Sequence, residues 1–178
     1  RDRGGSDSDF YTSSGPLRGR KGSLLEGGIR VPMVACWKGK IKPGTVSAHA
    51  SALWDVLPTL CEVSGSGIPE DTDGISFLPT LLGEGKQIPH ESLYWEFRGY
   101  GGQAAMMKGD WKLLVRNLNS KQEGPTIQLY NLEDDIGENN DLSGENPEFT
   151  KKILDEMKQS HVHSELFSFP GLEKLFNK

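Results

Sequence analysis

The chain has 178 residues, 35% hydrophobic and 25% charged, with a net charge of −5 and a mean hydropathy of −0.51. That length suits one domain or one and a half, no run approaches the ~20 apolar residues a spanning helix needs, and the acidic balance argues against nucleic acid as a partner. Cys36 and Cys61 each sit in an apolar stretch and are expected to be free, buried thiols.

Arg1-Asp2-Arg3-Gly4-Gly5 opens the chain without an initiator Met or an apolar signal core, so no targeting segment is in view. Leu17 to Pro32 reads Leu-Arg-Gly-Arg-Lys-Gly-Ser-Leu-Leu-Glu-Gly-Gly-Ile-Arg-Val-Pro, which sets arginines, a lysine and a carboxylate among four glycines. Glycine permits close backbone approach and positive φ, so such a loop can wrap a small anion and present Lys21 to it as a compact charge. The same residues suit a basic turn in which Glu26 pairs with Arg18 or Arg30, and the pattern favours neither. Pro32 to Trp37 is continuously apolar and predicts a strand buried on both faces, in the middle of a large sheet. Asp55 then predicts the cap of a helix over Val56–Val63, with Pro58 in its first turn and Gly65 at its end, so that Leu57, Leu60 and Cys61 share a face. Residues 64–92 read as loops around a short apolar turn, Phe77 to Leu82.

Beyond residue 92 the pattern is a small antiparallel sheet. Leu93–Phe97, Ala104–Lys108, Trp111–Arg116 and Ile127–Leu132 are short aromatic or branched segments, with Gly109-Asp110 turning between the middle two. Four strands with one apolar face need a cover, and the helix after Asn146 provides it. Asn146 suits the N-cap, Pro147 the first helical position, and Phe149, Ile153, Leu154 and Met157 form one stripe. His49, His90, His161 and His163 read as solvated or helix-end residues, and the His161-x-His163 pair has no third ligand for zinc. The acidic run Glu133 to Asp141 lacks EF-hand spacing and reads as a turn.

Several of these segments together resemble the type I, formylglycine-dependent sulfatases. Leu17-Arg18-Gly19-x-Lys21 with Glu26-Gly27-Gly28-Ile29-Arg30-Val31-Pro32 is similar to the family's second signature. Around and after it come Gly4-Gly5-Ser6-Asp7, Ser14-Gly15-Pro16, Trp37-x-Gly39-x-Ile41-x-Pro43-Gly44, Asp55-x-Leu57-Pro58-Thr59-Leu60, Asp73-Gly74-Ile75-Ser76, Gly109-Asp110-Trp111-Lys112-Leu113 and Leu129-Tyr130-Asn131-Leu132, in the family's order. The likeness covers nearly the whole chain and points to arylsulfatase or N-acetylgalactosamine-sulfatase-like members. Neither cysteine matches the family's Cys-x-(Pro/Ser/Ala)-x-Arg nucleophile motif.

The resemblance implies an α+β fragment of an α/β sulfatase in the alkaline phosphatase-like superfamily. Residues 1–84 would be the tail of the large catalytic domain and its sheet, and 85–178 the small C-terminal subdomain. Calcium and formylglycine would both lie upstream in the parent, with no metal or cofactor in this chain, which alone would be inactive. The parent would hydrolyse a sulfate ester of a glycosaminoglycan-type sugar or an aryl sulfate. Lys21 would contact the sulfate as the catalytic and substrate-binding residue. His90 is a candidate sugar contact, and Arg18, Gly19, Glu26, Gly27, Gly28 and Arg30 would hold the loop. Expected partners are the substrate and the missing N-terminal part, with no nucleic acid, no membrane, and a homodimer through the orphaned strand as an option. The expected compartment is periplasmic, secreted or lysosomal. The alternatives are a phosphatase or phosphonate hydrolase of the same superfamily, since phosphate and sulfate need similar cradles, or a non-catalytic glycan-binding module.

Overall fold

The computed structural model describes residues 13–177. Gly4-Gly5-Ser6-Asp7, one of the motifs above, lies outside them. Strands β1 (Leu93–Phe97), β2 (Gln103–Lys108), β3 (Trp111–Arg116) and β4 (Thr126–Asn131) form one sheet in the order β1-β2-β3-β4. β2 and β3 are antiparallel with Lys108 opposite Trp111, and β3 and β4 are antiparallel with Lys112 opposite Tyr130. These are the expected strands to within two residues at either end.

Side chains alternate across a strand, so each strand contributes to two faces. Ala104, Met106, Leu113, Val115 and Leu129 share one face with Ile153 and Met157 of helix α4 (Pro147–Ser160) and with Leu172 and Phe176 of helix α5 (Pro170–Phe176). Phe149 and Leu154 complete the expected stripe of α4. Asn146 does not cap this helix through its side chain; its Nδ2 donates to Leu142 O at 3.1 Å instead.

The single apolar face expected for the sheet is corrected. Ala105, Leu114 and Tyr130 on the opposite face are also buried, against Leu24, Leu25 and Leu132. The signature loop therefore covers the second face of the small sheet, and β2 and β3 are buried on both sides.

Packing divides the chain into the described part of Arg1–Val31 with Tyr94–Lys178, and Pro32–Leu93, a different line from the 84/85 boundary read in the sequence. In the second unit the expected strand Pro32–Trp37 does not form: no described strand pairs with it, and Met33 and Val34 are 57% and 95% exposed. An apolar run specifies a strand only where a neighbouring edge supplies its hydrogen bonds. Helix α1 (Glu26–Ile29) belongs to the signature loop; α2 (Val56–Ser64) follows a 3-10 turn at Leu53–Asp55 and ends at Gly65; α3 (Leu78–Leu82) occupies the expected apolar turn.

Asp55 does not cap α2 either. Its buried carboxylate accepts the N–H groups of Ala52 at 2.7 Å and Ile75 at 2.9 Å, knitting the unit's loops together. Thr59 Oγ1 donates to Asp55 O and accepts from Phe77 N. Pro58 and Thr59 form the buried side of α2, whereas Leu57 and Leu60, of the face read in the sequence, are more than half exposed. Both cysteines are free as expected, but Cys36 is exposed and Cys61 half-buried.

Candidate functional site

Ser23 N–H donates to Arg20 O at 2.9 Å, closing a four-residue turn with Lys21 and Gly22 at its centre. Gly22 has φ +90°, the positive value that a type II turn demands at its third position. Lys21 is thereby placed at the tip, exposed, with no hydrogen-bond or ion-pair partner among the described residues.

The sheet holds this turn from below. Gln103, at the start of β2, donates from Nε2 to Gly22 O at 3.0 Å and accepts Leu24 N–H on Oε1 at 3.1 Å. Arg18 Nη2 donates to the hydroxyl of Tyr130 on β4 at 2.8 Å. Burial pushes the Tyr130 phenol up, against the opposing pull of the Arg18 charge. Between them on β3, Lys112 is fully buried, with Nζ 2.7 Å from Glu26 Oε1 and 3.0 Å from Glu138 Oε1. The second contact is an ion pair. Glu26 Oε2 accepts from Arg30 Nε at 2.7 Å, and Glu138 Oε2 accepts Glu26 N–H at 2.6 Å. Burial raises the Glu26 carboxyl, but Lys112 and Arg30 outweigh it and hold the group below its ordinary range. Glu138 is pushed up, because burial outweighs the help of Lys112 and the Glu26 amide.

Helix α1 lies directly under the turn. Gly27 N–H donates to Arg18 O at 2.8 Å, and a Cβ on Gly27 would stand 2.4 Å from Gly19 O. A Cβ on Gly28 would stand 2.1 Å from Ser23 O. Both positions exclude every side chain because backbone occupies the space. Gly19, between them and Arg18, has φ +86° and its carbonyl accepts from Ser14 Oγ at 3.2 Å.

The structure thus gathers Arg18, Gly19, Lys21, Glu26, Gly27, Gly28 and Arg30 into one device. Of the two partners expected for Glu26, Arg30 is the one used, and Arg18 goes to Tyr130 instead. His90 belongs to the other unit, 2.8 Å from Asp55 Oδ1 through Nε2, with a side chain only 10% exposed. His161 pairs with Glu96 at 2.7 Å and His163 with Glu173 at 2.8 Å.

Sequence reasoning missed Gln103, Lys112, Tyr130 and Glu138. Lys112 carried a signal, a lone lysine inside the apolar run Trp-Lys-Leu-Leu-Val of a strand buried on both sides. Glu138 carried none; its run forms the expected turn, with Asn139 and Asn140 N–H donating to Asp135 Oδ2. Among the described residues there is no group of three or more His, Cys, Asp or Glu that could hold a metal ion. No helix among them is long and apolar enough to cross a membrane.

Residues 20–165 match the family model described as N-sulphoglucosamine sulphohydrolase, C-terminal. The chain belongs to the sulfatases. It is 36% identical to human (Homo sapiens) arylsulfatase A over 169 residues, covering 82% of this chain and 32% of that protein. With the N-acetylgalactosamine-6-O-sulfatase of Bacteroides thetaiotaomicron it shares 28% identity over 159 residues, 80% of this chain and 29% of that one. The crystal structure of Ps i-CgsB in complex with k-i-k-neocarrahexaose superimposes with a TM-score of 0.69 at 30% identity, over 82% of this chain and 32% of that one. This sulfatase chain therefore spans about a third of the length of these relatives, with an α+β architecture: a four-stranded antiparallel sheet packed by C-terminal helices.

Proposed function

We propose that the chain is part of a sulfuric ester hydrolase that removes sulfate from a sulfated, glycosaminoglycan-type sugar, N-acetylgalactosamine sulfate among them, or from an aryl sulfate, and that Lys21 is its sulfate contact. The observation carrying this is an ammonium without a partner among the described residues, at the tip of a turn whose loop is held by side chains of three adjacent strands. A charge held this way needs no reorganisation when it meets an anion, so it offsets negative charge developing on sulfate oxygens as the S–O bond breaks. The names of the N-acetylgalactosamine-6-O-sulfatase and of the carrahexaose complex support a sugar as the substrate. Neither Cys36 nor Cys61 stands in the Cys-x-(Pro/Ser/Ala)-x-Arg motif, so a formylglycine, which would supply the nucleophile in an enzyme of this family, would be held by residues outside this chain. A sugar contact by His90 would fall to Nδ1, because Nε2 is engaged with Asp55.

Pro32–Leu93 leaves Val34, Val46, Leu53, Leu57 and Leu60 between 51% and 97% exposed. Single exposed apolar residues are ordinary, but several within one small unit mark a surface built to be covered. The remaining sulfatase domain is the cover we propose, and a second copy of this chain is the competing outcome. The chain alone is then inactive.

The test is turnover of N-acetylgalactosamine 6-sulfate and of 4-nitrophenyl sulfate by the full-length enzyme, beside its Lys21→Ala variant. Loss of about 10²-fold or more in kcat is expected, the scale of removing one preorganised donor. Equal rates in the two proteins, or no turnover of either ester by the unmutated enzyme, would overturn the proposal.

A further inference from the structure

The cluster beneath the turn is costlier than shaping a loop requires. A lysine and a carboxylate are both fully buried, where apolar residues of similar volume often serve stability as well or better. Glu138 also holds a left-handed backbone, φ +53°, which for a residue of this kind is strained and persists only when its surroundings impose it. Such costs cluster where a site must be held in one geometry.

All three groups act on Glu26. Lys112 takes Oε1, Arg30 takes Oε2 and Glu138 takes the backbone N–H, at 2.6–2.7 Å each. Fixing Glu26 fixes α1, and α1 bears on the Lys21 turn: Gly27 N–H bonds Arg18 O, and Gly28 lies so close beneath the turn that a Cβ there would run into Ser23 O and Arg20 O. Lys112 is also the cross-strand partner of Tyr130, which takes Arg18, so neighbouring positions of β3 and β4 grip the loop on both sides of its tip. The charges close on themselves, with two cations against two carboxylates. Glu26, the loop's own carboxylate, is consumed and does not draw Lys21 down. We propose that Lys112 and Glu138 are positioning residues, which through Glu26 hold Lys21 outward at the height and direction that a sulfate oxygen requires. This rests on the assignment of Lys21 above.

A double-mutant cycle in the full-length enzyme tests it, with 4-nitrophenyl sulfate as the probe. Glu138→Gln keeps the volume and removes the charge. It should lower kcat by about 10-fold or more with a smaller change in KM, as misplacing a reacting group by a fraction of an ångström does. On the Lys21→Ala background the same change should lower kcat less than about 2-fold, since a device acting through Lys21 has nothing left to position. Lys112→Arg keeps the buried charge but moves it, and the same cycle run with it serves where Glu138→Gln does not fold. If either variant leaves kcat unchanged, or its loss multiplies with that of Lys21→Ala, the positioning role falls while the sulfate contact stands. If Lys21→Ala alone has no effect, both fall.

Discussion

Replacing Lys112 by Met leaves the carboxylates of Glu26 and Glu138, 4% and 0% exposed, with Arg30, itself about half-exposed, as the one cation paired with them among the described residues. Removing one member of a buried ion pair costs about 3–5 kcal/mol, mostly because the abandoned charge has no water to return to. Total stabilities run about 5–15 kcal/mol, so this is a large share. At about 4 °C per kcal/mol for a unit of this size, the melting midpoint should fall about 12–20 °C. The sign with pH follows from the acids. Without Lys112 both carboxyls sit above their unfolded values, so the folded variant takes up protons more readily than the unfolded chain, and it regains stability as the pH falls from 7 toward 5. Adding Glu26→Gln and Glu138→Gln removes the stranded charges and should restore much of the loss. Thermal unfolding of the chain followed by far-UV circular dichroism at pH 7 and pH 5 reads all three effects. A loss below about 1 kcal/mol for Lys112→Met, or one that does not change with pH, would refute a buried, charged cluster.

Gly28→Ala places a methyl 2.1 Å from Ser23 O and 2.8 Å from Arg20 O. The turn must move, at about 1–3 kcal/mol, and amide hydrogen exchange should quicken at Ser23 and Leu24, whose N–H groups bond Arg20 O and Gln103 Oε1; unchanged protection there would show the loop is not packed on α1. Acid should destabilise the chain through Glu26 and Asp141, both held below their ordinary values of 4.5 and 3.8. Burial opposes that lowering in each, outweighed by Lys112 and Arg30 for Glu26 and by the N–H groups of Ser143 and Leu129 for Asp141. Their contribution is complete above those values and is lost as the pH drops through them, while Glu138, shifted the other way, blunts the loss. A melting midpoint that is constant or rising between pH 4.5 and 3 would contradict this balance.

Local chemistry was legible wherever it was short-ranged. The strands from Leu93 to Asn131, their turn at Gly109-Asp110, the stripe of α4 and the Gly65 stop of α2 follow from period, turn residues and caps, and the structure has them. Asp55 and Asn146 fit the cap rules equally well and do not cap α2 and α4, because the Asp55 carboxylate takes the N–H groups of Ala52, at the start of the 3-10 turn, and of Ile75, and the Asn146 amide turns back to Leu142 O. Pro32–Trp37 has every local mark of a strand and lacks the neighbouring edge that would make it one.

By itself, then, the order of residues determined the small sheet, its helical cover and a glycine-rich loop able to present Lys21. Only tertiary structure decided that this loop forms the sheet's second cover, and that Glu26 answers to Lys112 and Glu138, which lie 86 and 112 residues further along the chain. The reason is range. Periodicity and turn chemistry act over a few residues, whereas a buried charge finds its counter-charge wherever the fold excludes water.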